Sequence, residues 1–441
     1  MRHLVLHVLE RVAARVSRLV STAARVHRNE RGNIAILGAL TLPVVAGGLA
    51  LGAETGYWYF EERKLQSAAD LSAHAGGVAL RGGGGQAVLE ASALDIALSS
   101  GFDQTLGNLT LNSPPVTGGF AGDNDAVEVT LDRQQRRFFS RLFIAAPFEI
   151  GVRAVAQVTG GSRACLLALS PNASGAVTVS GSSEVRFSGC DIAANSNANN
   201  SFLMSGGAAV VTTGCVHTVG GVSATGNLTL TDCATPNEQA PVTADPYAGV
   251  AEPSVAGTCQ PSNTVGKNNQ TTTVSPIENH PSGVKSMRFC GGLSLRGTVD
   301  LDPGLYIVDG GDFELRATTV ARGTGVTFLL VNGARAVING SATLNLAAPT
   351  TGPLSGIILM GSRADSGVSH QINGNAASRF DGAVYAPNSN VDYSGNFGGS
   401  GGCTQIVVNT ITFTGNSELA VDCQAAGTRD ALVDRQVRIV E

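Results

Sequence analysis

Between Ile34 and Ala53 the chain runs for 20 residues without a charge, IAILGALTLPVVAGGLALGA. As a helix at about 1.5 Å per residue this stretch is about 30 Å long, the thickness of a bilayer's hydrocarbon core. Pro43 and the Gly47-Gly48 pair are tolerated in a helix surrounded by lipid. The two flanks differ. Arg25, Arg28 and Arg31 precede the run, and Tyr57, Trp58, Tyr59 and Phe60 follow it. Arginine marks the cytoplasmic side and an aromatic belt marks the far interface. The sequence therefore predicts a transmembrane helix over 34–53, N-terminus inside and body outside. A secretory signal would have a shorter apolar stretch, about 7–15 residues, near the start. This run is preceded by 33 residues and reads as a permanent anchor.

Charge is divided at the same point. Residues 1–33 carry a net charge of +5, which leaves −10 for the remainder of a chain whose total is −5. In segment 1–31, Val5, Val8, Leu9, Val12, Val16, Leu19 and Val20 recur at helical spacing, with Arg11, Arg15 and Arg18 on another face. Such a basic amphipathic segment suits an anionic inner leaflet. The acidic body would be repelled by nucleic-acid phosphates, so no nucleic-acid partner is expected. All eight cysteines (Cys165, Cys190, Cys215, Cys233, Cys259, Cys290, Cys403, Cys423) lie beyond residue 160, and none forms a CxxC pair. An even number on one side of a membrane span predicts disulfides in an oxidising compartment, with the connectivity open. Pairing of sequence neighbours is the expectation adopted.

Behind the anchor, Glu61 to Ala79 is Ala-rich and predicts an extension of the helix, ended by the Gly run at 81–86. Residues 87–160 predict a small membrane-proximal α+β domain: a helix over 87–98, strands at 109–111 and 126–131, a helix over 133–143 and a strand over 148–158. Arg133, Arg136, Arg137 and Arg141 fall on the predicted second helix as a solvated face.

From 162 to 425 the texture changes. Runs of 4–8 residues such as GLYIVDG, GVTFLLVNG and NVDYSGN alternate and close on Gly, Asn, Ser or Asp, and the chain holds 56 Gly. A period near 20 residues per round predicts a right-handed parallel β-helix, with an irregular β-sandwich as the alternative. Residues 235–283, rich in Pro, Asn and Thr, predict a surface excursion held by Cys259 and Cys290. Residues 426–441 remain as a C-terminal tail. The fold class is thus mainly β behind an N-terminal transmembrane helix.

Catalysis finds little support. Paired carboxylates of a polysaccharide-cleaving site could come from Asp300, Asp302, Asp309, Asp312, Glu314 and Asp381, yet Gly310-Gly311 marks a solvated turn between the closest two. His217, His280 and His370 are isolated in sequence and read as surface or corner residues. No catalytic, cofactor or metal residues are assigned, and no enzyme activity is expected.

A resemblance adds to this reading. Arg31-Gly32-Asn33-Ile34-Ala35, the run containing Pro43, the exit at Tyr57 to Tyr59 and Leu65-Gln66-Ser67-Ala68-Ala69-Asp70 together resemble the N-terminal module of TadG-like proteins of the tight-adherence (Flp) pilus assembly system; the resemblance covers residues 30 to about 78, and the module itself is placed at 32–80. The β-rich distal part is more loosely similar. Pilin-type precursors carry Glu five positions after a processed Gly; after Gly32 that position is Leu37, so such processing is not expected. The resemblance implies a single-pass protein of the bacterial inner membrane with a periplasmic body. It implies partners among other pilus-assembly or envelope proteins, and binding rather than catalysis. A β-helical adhesin for cell-surface glycans is the alternative, and a polysaccharide-degrading enzyme a more distant one.

Overall fold

The computed structural model describes residues 33–441, apart from 376, 396, 399–402 and 421–422. The basic segment 1–31, with Arg28 and Arg31, lies outside the described residues. A single helix, Asn33–Arg81, contains both the uncharged run and its predicted extension, with Pro43 inside it. Its 49 residues span about 74 Å at about 1.5 Å per residue. The two parts of the helix have different surroundings. Ile36, Leu37, Leu40, Leu42, Val44, Val45 and Leu49 are 60–74% exposed. A helix apolar all round, uncovered among the described residues, matches lipid as its solvent, and this is the one candidate span among them. From Glu54 onward a stripe turns inward: Glu54, Glu61, Leu65, Ala68, Ala69, Ser72 and Ala73 are buried, at the spacing of one helix face.

The trace falls into two compact units. One comprises the described residues up to Ala75, with Glu90–Ala156 and Ile439–Glu441; the other comprises Gly76–Leu89 and Gln157–Arg438. In the first unit the antiparallel pair Leu109–Asn112 and Ala126–Gln135 is followed by Phe148–Thr159 in the same sheet. The end of the chain is built in as well: Val155 donates to the Glu441 carbonyl (2.7 Å) and Val440 to that of Val155 (2.9 Å). Three contacts tie the long helix to this sheet. Gln66 donates to the Arg153 carbonyl at 2.9 Å, Arg133 pairs with Glu61 at 3.1 Å, and Trp58 stacks on Phe148. Burial opposes ionisation of Glu128, but hydrogen bonds from Thr117, Arg153, the Val116 N–H and Asn112 outweigh it and hold its pKa at about 2.

The helix predicted over 133–143 does not form. The strand runs on to Gln135, and only a single 3-10 turn, Ser140–Leu142, follows. Phe138, Phe139, Leu142 and Phe143 mimic a helical stripe in sequence, but all four are exposed. Without a core to receive it, an apolar stripe does not stabilise a short helix.

The second unit is a parallel β-helix of about ten turns among the described residues. The sandwich alternative is set aside because nearly all its ladders are parallel between successive coils. One inward row shows the stacking: Leu295, Leu315, Ile338, Ile372, Tyr393, Phe413, Val179 and Met204 are consecutive ladder partners, and all are buried. The row also exposes the topology, because Phe413 is followed by Val179. Strand Thr404–Phe413 pairs on one side with Arg379–Gly395 and on the other with Ser162–Ala168 and Val177–Ser180. The coils that come first in the chain, 162–234, therefore continue the stack where the coils that come last end. Residues 426–441 are not loose either: Ala431–Val433 lies antiparallel on Ser162–Ala168.

This arrangement gives the excursion 235–283 a geometric task. Its start, Asn237–Glu238, pairs at one end of the stack on Val216–Thr218. Its later part, at Cys259, Thr264–Val265 and Thr271–Val274, pairs at the other. Ten ladder steps separate Asn237 from Cys259 along this face, about 48 Å at about 4.8 Å per step. Residues 239–258, extended at about 3.3 Å each, reach about 66 Å, enough to travel the whole length. In doing so they cover an outward row, Ile307, Leu329, Met360, Tyr385, Val407, Leu167 and Ala193, with Tyr247 and Val250; Leu354, Ala431 and Val433 join the same cluster. Strands on this face are buried on both sides, which is why Val326–Val331 (VTFLLV) is buried at every position and apolar at all but Thr327, rather than alternating.

Arg363 holds the excursion down. It donates to the carbonyls of Tyr247 (2.7 Å) and Val250 (2.8 Å) and to the Tyr385 hydroxyl (3.0 Å), with its guanidinium 5.2 Å from the Tyr385 ring. Burial pushes the Tyr247 and Tyr385 phenols well above their ordinary range, so both stay protonated. Hydrogen bonds from a charged donor contribute about 1.5–3 kcal/mol each. Arg363→Ala is expected to lower the melting temperature by roughly 5–10 °C and to speed amide exchange within 240–252. An unchanged exchange pattern there would show that Arg363 is not the fastener.

Candidate functional surfaces

The carboxylates singled out as candidate acids lie on the β-helix, and each has a neighbour that explains it. Asp312 accepts two hydrogen bonds from Arg335, both 2.9 Å, and the two residues are direct ladder partners. Asp300 lies in register with Arg322 on the next coil. Asp309 accepts from Arg288 (2.5 and 3.1 Å) and Asn332 (2.6 Å), and Arg288 and Asn332 hold its carboxyl below the usual carboxylate range. Glu314 accepts from Arg316 at 3.1 Å, Asp381 from Arg379 at 2.9 Å, and Asp302 from Ser275 at 2.5 Å. Pairs between opposite charges on adjacent strands are a common means of joining strands. The turn expected at Gly310-Gly311 is present, both residues having positive φ, and a Cβ on Gly311 would strike the Gly291 carbonyl.

The three histidines are not surface residues. His217, His280 and His370 are all buried, His370 to 1% exposure. Burial, with Arg335 nearby, lowers the pKa of His370 to about 4, and its Nδ1 accepts the Ala336 N–H at 3.2 Å. His280 bonds to the Ser254 carbonyl at 2.8 Å. His217 lies 3.1 Å from Asp191. Asp191 is 2% exposed and also accepts from the Ser162 hydroxyl and the Cys215 N–H. A serine, an aspartate and a histidine therefore meet, but the carboxylate stands between the other two. In a catalytic triad the imidazole must touch the hydroxyl in order to take its proton; here both lean on the aspartate. No local sequence signal marks Asp191, whose environment is assembled from three coils.

A cleft of about 430 Å³ opens on another face, lined by Glu314, Arg316, Asn339, Gln371, Asn373 and Asp392 among others. Glu314, Gln371 and Asp392 belong to one outward row, stacked coil upon coil through Val337. The lining offers donors and acceptors at coil spacing.

The cysteines lie at disulfide distance in four pairs: Cys165–Cys190, Cys215–Cys233, Cys259–Cys290 and Cys403–Cys423, with Cα separations of 4.8–5.7 Å. These are the sequence-neighbour pairs. The reason is geometric: coils stack about 4.8 Å apart, a distance that falls inside the Cα range a disulfide accepts.

In the first unit the aromatic exit of the helix is split. Tyr57 and Tyr59 are exposed, Tyr57 meeting Phe138 edge-on at 5.6 Å. Trp58 faces inward, with the Arg137 guanidinium 5.4 Å from its ring. Glu54, 2% exposed, accepts the Phe138 N–H (2.7 Å), the Ser140 N–H (2.7 Å) and the Ser140 hydroxyl (3.0 Å). Among the described residues, no group of three or more His, Cys, Asp or Glu side chains is placed to hold a metal ion.

Fold and surfaces together define a class: a β-helical protein carried by one apolar N-terminal helix. Within it, residues 32–79 match a family described as "Putative Flp pilus-assembly TadE/G-like". The chain therefore carries a TadE/G-like module, and that module coincides with the long helix. The β-helix lies beyond the matched residues. No curated protein matches the chain, and no solved structure does.

Proposed function

We propose that this protein is a single-pass, membrane-anchored component of a tight-adherence pilus-assembly system, its β-helix facing the envelope and acting by binding other proteins. The observation that carries the reading is that the pilus-assembly module, 32–79, falls on the helix whose first part is apolar and uncovered. The orientation follows from the arginines before the run and the aromatic residues after it. Four disulfides fit an oxidising periplasm. The long ladder faces offer protein-binding surface, while the candidate acids are taken up by arginine and hydroxyl partners.

The polar cleft favours a second reading, a glycan-binding adhesin displayed on the fibre. Fractionation separates the two. Recovery of the chain in the inner membrane, with loss of surface pili from cells lacking it, supports the assembly component. Recovery with sheared fibres, stripped of the membrane, supports the adhesin and defeats the anchored role.

A further inference from the structure

The loop 136–147 carries a group of exposed apolar side chains that the assembly reading does not use. Phe138, Phe139, Leu142, Phe143 and Ile144 are all more than half exposed, Leu142 at 85%. Scattered single apolar residues on a surface are ordinary; five within seven positions are not. Burying each Phe or Leu fully is worth about 1.5–3 kcal/mol, so this tip leaves a large favourable term unused in water.

Its location says what covers it. The loop's backbone is clamped by Glu54, which takes the N–H groups of both Phe138 and Ser140. Glu54 is the residue after the uncharged run ends at Ala53, hence about 1.5 Å further along the helix axis. A loop fastened there stands at the level where the helix leaves the hydrocarbon. Charge agrees with that level. A cleft of about 500 Å³ beneath the loop is lined by Arg136, Arg137 and Arg141, with Phe138 and Pro147. Arg137 is engaged, bonding the Ala146 carbonyl at 2.8 Å and lying over Trp58 and Phe148, whereas Arg136 and Arg141 are exposed. Apolar side chains that enter the acyl boundary, with cations at the phosphates above them, form the pattern of an interfacial membrane segment.

We propose that residues 136–147 are a second membrane contact: an interfacial hook whose phenylalanine and leucine tip enters the leaflet the helix exits into, with Arg136 and Arg141 on lipid phosphates. The proposal rests on the anchor reading, and it adds that the first unit is held against the bilayer at two points.

The test uses the full chain in vesicles of phosphatidylcholine with phosphatidylglycerol, brominated at shallow or deep acyl positions. Trp58 is the only tryptophan, and its Nε1 has no partner among the described residues, so Trp58→Phe gives a silent background at no cost in hydrogen bonds. Into it go Phe143→Trp and, separately, Leu49→Trp. The expected result is emission at Leu49→Trp quenched by deep bromines, and at Phe143→Trp quenched about twofold more by shallow than by deep bromines, as an interfacial depth requires. Adding Arg136→Glu with Arg141→Glu is expected to abolish the shallow quenching in the same vesicles. Leu49→Trp quenched but Phe143→Trp unquenched overturns the hook and leaves the anchor standing. Blue-shifted, unquenched emission at Phe143→Trp also overturns it, because a protein then covers the tip. Leu49→Trp unquenched overturns both readings.

Discussion

Reduction of the four disulfides is expected to remove the cooperative melting of the β-helix. Each bridge joins neighbouring coils and closes a loop of 18 to 31 residues. In the chain-entropy account, closing loops of this size stabilises by about 3 kcal/mol each. Four of them together match the whole net stability of an ordinary domain, about 5–15 kcal/mol. The bridges also sit at vulnerable places. Cys259–Cys290 ties the returning excursion to the coil it pairs with, and Cys215–Cys233 closes the coil next to the other end. Far-UV circular dichroism of the purified chain, heated with and without reductant, reads the effect directly. A transition lowered by tens of degrees, or absent, is the expected outcome. Melting curves that superimpose would mean the ladders and core hold the stack unaided.

Val45→Arg combined with Leu49→Arg is expected to release the protein from the membrane. Both side chains are uncovered, at 60% and 72% exposure, and they lie four residues apart on one helix face. Among the described residues neither side chain is buried against protein, so the double change reports on the surroundings of the helix. An arginine near the centre of a membrane helix costs about 2.5–3.5 kcal/mol on insertion scales. Two cost about 6 kcal/mol, a shift of about 10⁴ in partition. Alkaline extraction of cell membranes gives the readout: the parent chain should stay in the pellet and the variant should leave it. A variant that remains in the pellet would remove the anchor from the account.

Some of this was plain from the residues. The anchor is legible because a bilayer imposes one length, and twenty uncharged positions meet it. The short strands and Gly and Asn corners mark a coil, and the neighbouring cysteines mark its circumference. The helix expected over 133–143 does not form: its phenylalanines have the spacing of a helix face, and spacing alone does not reveal whether a core stands opposite. His280 stands at a turn, as a corner residue would, but His217 and His370 are buried inside strands, because an imidazole buried against Asp191 or the Ala336 N–H looks, in sequence, like one in water. Asp191 itself draws its partners from 162, 215 and 217, and no window of the sequence contains that environment.

By itself the sequence determined local matters: which residues suit lipid and which alternate between two faces; the cysteine pairs were settled by the stacking of the coils. The order of the coils was decided only in three dimensions. Parallel ladders accept any strand with the right alternation, so nothing local makes Phe413 choose Val179 as its neighbour. That choice is made by packing as a whole, which joins the two halves of the β-helix into one stack, sends 239–258 along its length, and buries a second row of apolar side chains beneath it.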